Sequence, residues 1–370
     1  MLTVLRWIII AVGFSMAGGT VLSLSGSPHW FVRGWDFPRV QIALLAGSAG
    51  VAYGVLFQRG EPFDWAFLGV VAACVLWQLY RIFPYTRVAP ERVKWSRDRG
   101  GASGEGRRLR LLITNVLMEN TEYDQLLRLV RESDPDLLLA VETNERWARA
   151  LEPLASTYPH VVRQAQENYY GLILYSRLPL LESRVDFLVQ DDIPSVHVIF
   201  EIAGERVVLH GLHPRPPEPL RDQDSTPRDA ELVIVGKAIS KAGEKPTIVA
   251  GDLNDVAWSP TSQLFLRLSG LLDPRMGRGF YNSFNANNPL FRFPLDHVFH
   301  SNHFRLLDLR RCRSIGSDHF PMLIELSYEP DAPAEQPEIE QEAGDHEEAR
   351  EKLEAQADAA QTGADRPSTE

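Results

Sequence analysis

Polar residues of a few types stand at the ends of apolar runs along this chain. Asn115 follows the run 111–114, Glu142 follows Leu137–Val141, and His213 follows 207–212. Gly251-Asp252-Leu253-Asn254 follows 247–250, Asp296 opens 297–300, and Ser317-Asp318-His319-Phe320-Pro321 precedes a last run at 322–326. A lone Asp or His at such a place is more often a turn residue than a catalytic one. Six such places are hard to assign to turns, because groups at the edge of a rigid sheet are held firmly while facing solvent. Carboxylates and amides suit a hard divalent cation such as Mg²⁺, which takes oxygen ligands and needs only one or two from protein. A histidine oriented by a carboxylate suits general base catalysis near neutral pH. Asp252 and Asn254, two apart at a strand end, project to the same side. The set points to hydrolysis assisted by a bound cation.

The elements that must position these groups follow from hydrophobic period. Strand-like runs cover 109–114, Leu137–Val141, 172–175, 196–202, 207–212, 247–250, 297–300 and 322–326. Helical patterns cover 123–132, 145–154, 228–241 and 260–268, the last with Ser259 as N-cap and Pro260 at the first helical position. Several strands follow one another with no helix between them. That disfavours a simple doubly wound sheet and predicts an α/β or α+β domain with a mixed sheet.

The first 86 residues differ in kind. Stretches at 2–24, 40–57 and 65–83 are apolar, the middle one uncharged, the outer two broken only by Arg6 and Arg81. Each is long enough to cross a bilayer as a helix. Trp30, Trp35, Trp65, Trp77 and Tyr80 lie near their ends, where amphipathic rings prefer the headgroup zone. A cleaved signal peptide is the alternative for the first stretch, but two more follow and no A-x-A site appears. Three spans are expected, the shortest of which, the middle one, has a re-entrant alternative. Basic residues flank both sides, so orientation stays open.

Residues 87–108 read as a basic flexible linker, with Arg87, Arg92, Lys94, Arg97 and Arg99 ahead of a glycine-rich end. Residues 109–330 read as one globular domain. Residues 331–370 read as an acidic disordered tail with a transient helix around 346–360.

The net charge is −11. The last forty residues hold 13 acidic and 3 basic side chains, whereas 107–330 hold 30 and 25. Most of the excess is therefore in the tail, and the total does not exclude nucleic acid as a partner. Two cysteines exclude a disulfide scaffold and a thiolate zinc site.

The order Asn115, Glu142, His213, Asp252-Leu253-Asn254, Asp296, Ser317-Asp318-His319 resembles the endonuclease/exonuclease/phosphatase superfamily, over most of the chain after the linker. Gly-Asp-Leu-Asn and Ser-Asp-His-Phe-Pro are specific in this order; either alone would be weak. With membrane spans ahead of the domain, the arrangement is similar to bacterial membrane-anchored members, which implies a multi-pass inner-membrane protein. The resemblance implies a four-layered α/β sandwich, two mixed sheets packed face to face under flanking helices. It implies a Mg²⁺-dependent phosphoesterase, with Mn²⁺ as a substitute, acting on phosphodiesters of nucleic acid, lipid or a small molecule. Nuclease is the default label, and no protein partner is implied.

The roles carried over are these. Glu142, Asn115 and Asp318 would hold the metal. His319 would be the general base and Asp296 its orienting carboxylate. Asp252 and Asn254 would orient water and phosphate, and His213 would donate a hydrogen bond to a phosphoryl oxygen. Tyr170 stands where nuclease members contact phosphate, although a packing aromatic fits equally well. The carboxylate that supports the phosphate-binding His in the deoxyribonuclease branch is replaced by Leu172, which leaves the orientation of His213 open.

Other residues take blander readings. His210 is a sheet residue, His297 packs or binds a neighbour, Cys312 is structural, and His300 and His303 are at the surface. Arg215, Arg221 and Arg228 are solvated loop charges or phosphate contacts. Phe280, Tyr281, Phe284, Phe291 and Phe293 form a loop that covers substrate or packs on the domain. A non-catalytic membrane scaffold of the same fold is the rival class. It predicts the loss of a metal or base residue, and none is missing.

Overall fold

The computed structural model describes residues 1–97, 106–218 and 223–362. The chain opens with helix α1 (Leu2–Ser23), the one-turn α2 (Trp30–Arg33), α3 (Arg39–Leu56) and α4 (Pro62–Ile82). The three long ones are long and apolar enough to span a membrane. The middle stretch is a helix of 18 residues. Ile42, Ala46, Tyr53, Phe67 and Val71 form the seam between them. Polar side chains inside the bundle pair with one another: Gln78 donates to Thr20 at 2.8 Å and accepts from Arg39 at 3.0 Å, as buried polar groups favour.

The rest is a sandwich. One sheet has strand order β10-β11-β1-β2-β4-β3, from β1 (Arg108–Asn115), β2 (Leu137–Val141), β3 (His160–Gln164), β4 (Leu172–Ser176), β10 (Phe304–Arg311) and β11 (Met322–Tyr328). The other is β5-β6-β7-β8-β9, from β5 (Glu182–Asp186), β6 (Ser195–Ile202), β7 (Glu205–Leu212), β8 (Thr247–Asp252) and β9 (Asp296–His300). Each sheet is mixed, with one parallel pair, β1–β2 and β7–β8. The inner faces meet in a core containing Leu111, Leu139, Leu174, Val198, Leu209, Ile248 and Ile324. Helices α5 (Tyr123–Ser133) and α6 (Glu145–Leu151) cover the first sheet through Leu126, Val130 and Trp147. Helices α7 (Thr226–Ala242) and α8 (Pro260–Ser269) cover the second through Leu232, Val235 and Phe265. This is the four-layered arrangement expected above.

The two parallel pairs decide where the site lies. Each is a strand, a crossover helix and a parallel return, so both strands of a pair end at the same edge of the sandwich. Asn115 and Glu142 leave one pair there, and His213 and Asp252 leave the other.

Two segments depart from the sequence reading. Residues 87–97 are not a free linker. Val93 is fully buried, Trp95 bridges Leu306, and Ser96 donates to Glu329 at 2.6 Å. The glycine-rich end, with Arg99, lies outside the described residues. The acidic tail carries helix α9 (Asp345–Thr362), which docks on α7 by burying Ala349 and pairing Lys352 with Asp229 at 2.9 Å. Arg267 of α8 pairs with Asp345 at 2.8 Å. Composition alone favours solvation of such a segment, but its charges meet partners from distant elements.

Candidate active site

Every residue singled out at a strand end stands at one edge of the sandwich. Asn115 Nδ2 donates to Glu142 Oε1 at 2.7 Å and to Asp252 Oδ2 at 3.1 Å, so one amide ties the two sheets together. The Nε2 atom of His319 is 3.6 Å from Asp252 Oδ2, and its Nδ1 is 2.7 Å from Asp296 Oδ2. His213 Nε2 is 3.9 Å from that same Asp252 oxygen. The other oxygen of Asp252 accepts the backbone N–H of Asn254 at 3.0 Å. The side-chain amide of Asn254 donates to Pro214 O at 2.9 Å and thereby fixes the loop after His213. Asp318 is half-buried, and its charge is felt at both Glu142 and His319.

Local backbone makes this convergence possible. Glu142 and Asn254 adopt left-handed φ values of 60° and 51°. Such conformations are uncommon for residues with a side chain and concentrate at functional sites. Gly251 has φ 141°, and a Cβ there would lie 1.9 Å from Leu212 O. Only glycine lets β8 run this close to β7 as it delivers Asp252. Behind Glu142, Asn144 caps α6 by accepting from Arg146 and Trp147 N–H, both at 3.1 Å.

Electrostatics divides the cluster. Burial pushes the Glu142 carboxyl up to about 7, helped by the charges of Asp252 and Asp318 against the Asn115 hydrogen bond. Its Oε2 is buried with no hydrogen-bond partner among the described residues. A buried carboxylate oxygen left in this state is costly unless a cation completes it. The residues therefore fit a divalent metal, with Glu142 as the oxygen donor most in need of one and Asn115 and Asp318 beside it. One ligand atom from each of Asp252, Asp296 and His319 also lies within 4.8 Å of the others. A metal held there through His319 Nδ1 would break its hydrogen bond to Asp296, whereas Glu142 Oε2 has no bond to lose among the described residues, so the Glu142 side is the better fit for a cation.

Burial alone would pull His319 down, but the carboxylates of Asp296 and Asp252 outweigh it and hold the imidazole up at about 10. Asp252 itself is raised by burial and by Asp296, against the pull of His319 and His213. Burial takes His213 down to about 4, so that ring is neutral near pH 7. Its Nδ1 has no partner among the described residues. Leu172, fully buried, supplies none. Instead the His213 ring rests against Tyr170, with centroids 5.5 Å apart, and the Arg215 guanidinium lies 5.1 Å over the other ring.

Several blander readings need correction. Arg215 and Arg228 are buried, not solvated: Arg215 pairs with Asp192 at 2.5 Å, and Arg228 pairs with Asp229 at 2.8 Å while donating to Asn254 O at 2.8 Å. Arg221 lies outside the described residues. His300 is fully buried rather than at the surface. His297 accepts from Arg275 at 2.6 Å and donates to Asp255 O at 2.9 Å. The aromatic loop packs on the domain. Phe284 lies tilted against His319, centroids 4.9 Å apart, while Phe280 and Phe293 pack in a cluster with Trp258 and Phe37. Nothing in the sequence signalled that Arg228 would brace Asn254, because that partner lies 26 residues further on, in a loop.

The model of the Endonuclease/Exonuclease/phosphatase family matches residues 113–319. Among solved structures, the endonuclease/exonuclease/phosphatase from Beutenbergia cavernae DSM 12333 is 18% identical, over 60% of this chain and 72% of that one, with a TM-score of 0.48. TDP2 of D. rerio, solved with a single strand DNA product, is 19% identical over 60% and 99%, with a TM-score of 0.49. The human Nocturnin catalytic domain with bound sulfate anion is 16% identical over 60% and 94%, with a TM-score of 0.48. No curated protein matches.

Proposed function

From the premise that this chain belongs to the endonuclease/exonuclease/phosphatase family, we propose that it is a membrane-embedded, divalent-metal-dependent phosphoesterase that hydrolyses phosphodiester bonds. The observation that carries this reading is the pairing of an unpartnered, buried Glu142 oxygen with a carboxylate-held His319 across Asp252. Glu142, with Asn115 and Asp318, would hold Mg²⁺ or Mn²⁺. When bound, such an ion supplies Lewis-acid charge neutralisation at the phosphoryl group.

The protein's own residues do the rest. Asp296 keeps its hydrogen bond to Nδ1 of His319, so Nε2 is the atom that faces the water. The carboxylates alone keep the ring protonated near pH 7, and the positive charge of a cation on the Glu142 side would lower it so that Nε2 can take a proton from water. Asp252 faces Nε2 and orients that water, while the Asn254 backbone holds Asp252 in place. His213, neutral, donates to a phosphoryl oxygen. The three N-terminal helices would anchor the domain in a membrane. A phosphodiester in nucleic acid and one in lipid present the same group to these residues.

The test uses the full chain in detergent with a chromogenic diester, bis(p-nitrophenyl) phosphate. Hydrolysis should stop in EDTA and return with Mg²⁺ or Mn²⁺. Full activity in chelator overturns the metal role, and no hydrolysis with any divalent ion overturns the assignment as a phosphoesterase.

A further inference from the structure

We infer that the substrate is a membrane lipid carrying a phosphodiester, drawn headgroup-first into the site from the leaflet on which the domain rests. This rests on the phosphoesterase and membrane readings above and goes further by naming the substrate class.

Three loops rim the catalytic edge, and all three touch the ends of the apolar helices. The first follows Asn254: Ala257 O accepts from Tyr85 at 2.8 Å, Trp258 O accepts from Arg81 at 2.7 Å, and Trp258 Nε1 donates to Asp36 O at 2.7 Å. The second carries Phe284, which bridges both Phe293 and His319. The Phe293 ring is 5.6 Å from Phe37, and Leu290 O accepts from Gln41, in the first turn of α3, at 2.8 Å. The third follows His213 and returns at Ser225, whose N–H donates to Pro28 O at 3.0 Å. Ser23, Arg39 and Ile82, the helix ends on this side, thus lie beneath the mouth of the site. If these helices cross a bilayer, the catalytic edge faces its surface.

The rim is also greasy where water-facing loops are normally polar. Leu290 is 73% exposed, Phe291 54% and Phe31 48%. An apolar groove of 440 Å³ runs between α2 and the His213 loop, lined by Trp30, Phe31, Trp35, Phe37, Pro38 and Pro217. Exposed apolar side chains beside a membrane span are at home in the headgroup and upper acyl region. The groove's wall continues into the His213 loop, so a chain lying in it would carry its phosphate toward His213. A cleft lined by Arg87 and Arg311, with Arg310 beside Asp308 at 3.5 Å, opens where the chain leaves α4, and attracts anionic headgroups. Nucleic acid would need a cationic track along the site. Among the described residues, Arg215 and Arg228 beside His213 do not provide one, since they are committed to Asp192 and Asp229.

The reaction is hydrolysis. The water oxygen bonds to phosphorus, the P–O bond to the leaving alcohol breaks, and the proton taken by His319 passes to the leaving oxygen. The products are a phosphomonoester and an alcohol.

The test places the full chain, with Mg²⁺, in vesicles of phosphatidylethanolamine, phosphatidylglycerol and cardiolipin. Parallel reactions contain circular single-stranded DNA or bis(p-nitrophenyl) phosphate, and products are read by phosphorus NMR. Expected is hydrolysis of at least one lipid with kcat/KM above that for DNA. In a Leu290→Glu/Phe291→Glu variant, the ratio of kcat/KM on lipid to that on the chromogenic diester should fall by about tenfold or more, the effect of replacing two exposed apolar anchors with carboxylates. Cleavage of the chromogenic diester without cleavage of any lipid, DNA cleavage faster than lipid cleavage, or an unchanged ratio in the variant overturns the lipid inference and leaves the phosphoesterase standing. Failure on every substrate overturns both.

Discussion

Two groups of buried imidazoles sit on the second sheet and its edge, and they behave in opposite ways. His319 lies between Asp296 and Asp252 and is held up at about 10. His197 and His210 face each other across β6 and β7, with their Nδ1 atoms 2.6 Å apart and Ser195 Oγ 2.9 Å from the far nitrogen of His197. Burial takes His197 down to about 4 and His210 to about 3. The second pair also has a carboxylate near it, Asp186, 3.6 Å from His197, but Asp186 is half-exposed and already paired with Arg184 at 2.7 Å. Burial by itself strips the proton from a histidine, and only carboxylates without a cation of their own restore it. A buried histidine therefore becomes chemically useful through the charges left uncommitted beside it.

The strongest way to break this comparison is to remove one side of it. His319→Ala should lower kcat on the chromogenic diester by about a thousandfold, the usual worth of a positioned general base, while leaving thermal unfolding within a few degrees. Asp296→Asn keeps the hydrogen bond but removes the charge, and kcat should fall by about a hundredfold. By contrast, His197→Phe/His210→Phe should leave kcat within about twofold. Steady-state kinetics on the four proteins decides the matter. A double variant as damaged as His319→Ala would mean that the second pair belongs to the catalytic apparatus.

This contrast shows what the sequence carried. Asn115, Glu142, His213, Asp252 and His319 could be picked out because each adjoins an apolar run, and a strand that is buried must end where its side chains meet solvent. The spans were legible from length alone. β3, β5 and β10 were not, because they are edge strands whose apolar residues are interrupted by charged ones, such as Glu182-Ser183-Arg184-Val185-Asp186. Nor were Arg228, Arg215 and His300. Whether a charged or titratable side chain is buried depends on a partner folded in from elsewhere, as Asp192 is for Arg215. The pairing of His197 with His210 is a matter of strand register, which hydrophobic period does not fix across this hairpin.

The second pair makes its own prediction for stability against pH. Both rings have pKa values in the folded chain below the ordinary 6.5, so the fold favours their neutral forms. Their contribution to stability is whole above pH 6.5 and is lost as pH falls from there toward 4 and 3. Between pH 7.5 and 5, each ring costs on the order of 2 kcal/mol, less for half-buried His210. The drop in thermal unfolding midpoint between those pH values should therefore be smaller in His197→Phe/His210→Phe than in the parent. An equal drop in both would place the acid sensitivity elsewhere, in His297 or His300, which burial also depresses.

His213 sharpens the comparison most finely, because it stands between the two cases. It has one carboxylate, Asp252, at 3.9 Å, and that carboxylate is shared with His319. The result is a ring held down at about 4, close to His197 rather than to His319. Its position is set instead by the face of Tyr170 and, beyond it, Arg215. If Tyr170 serves as a wall for His213, Tyr170→Phe keeps the wall and should change kcat by less than about tenfold, the span of one neutral hydrogen bond. Tyr170→Ala removes the wall and should cost more, because a neutral donor with no hydrogen bond at its second nitrogen has nothing else to hold its plane. The kcat ratio of the two variants is the measurement. Equal losses would instead assign the effect to the hydroxyl, and Tyr170 would then be a phosphate contact in its own right.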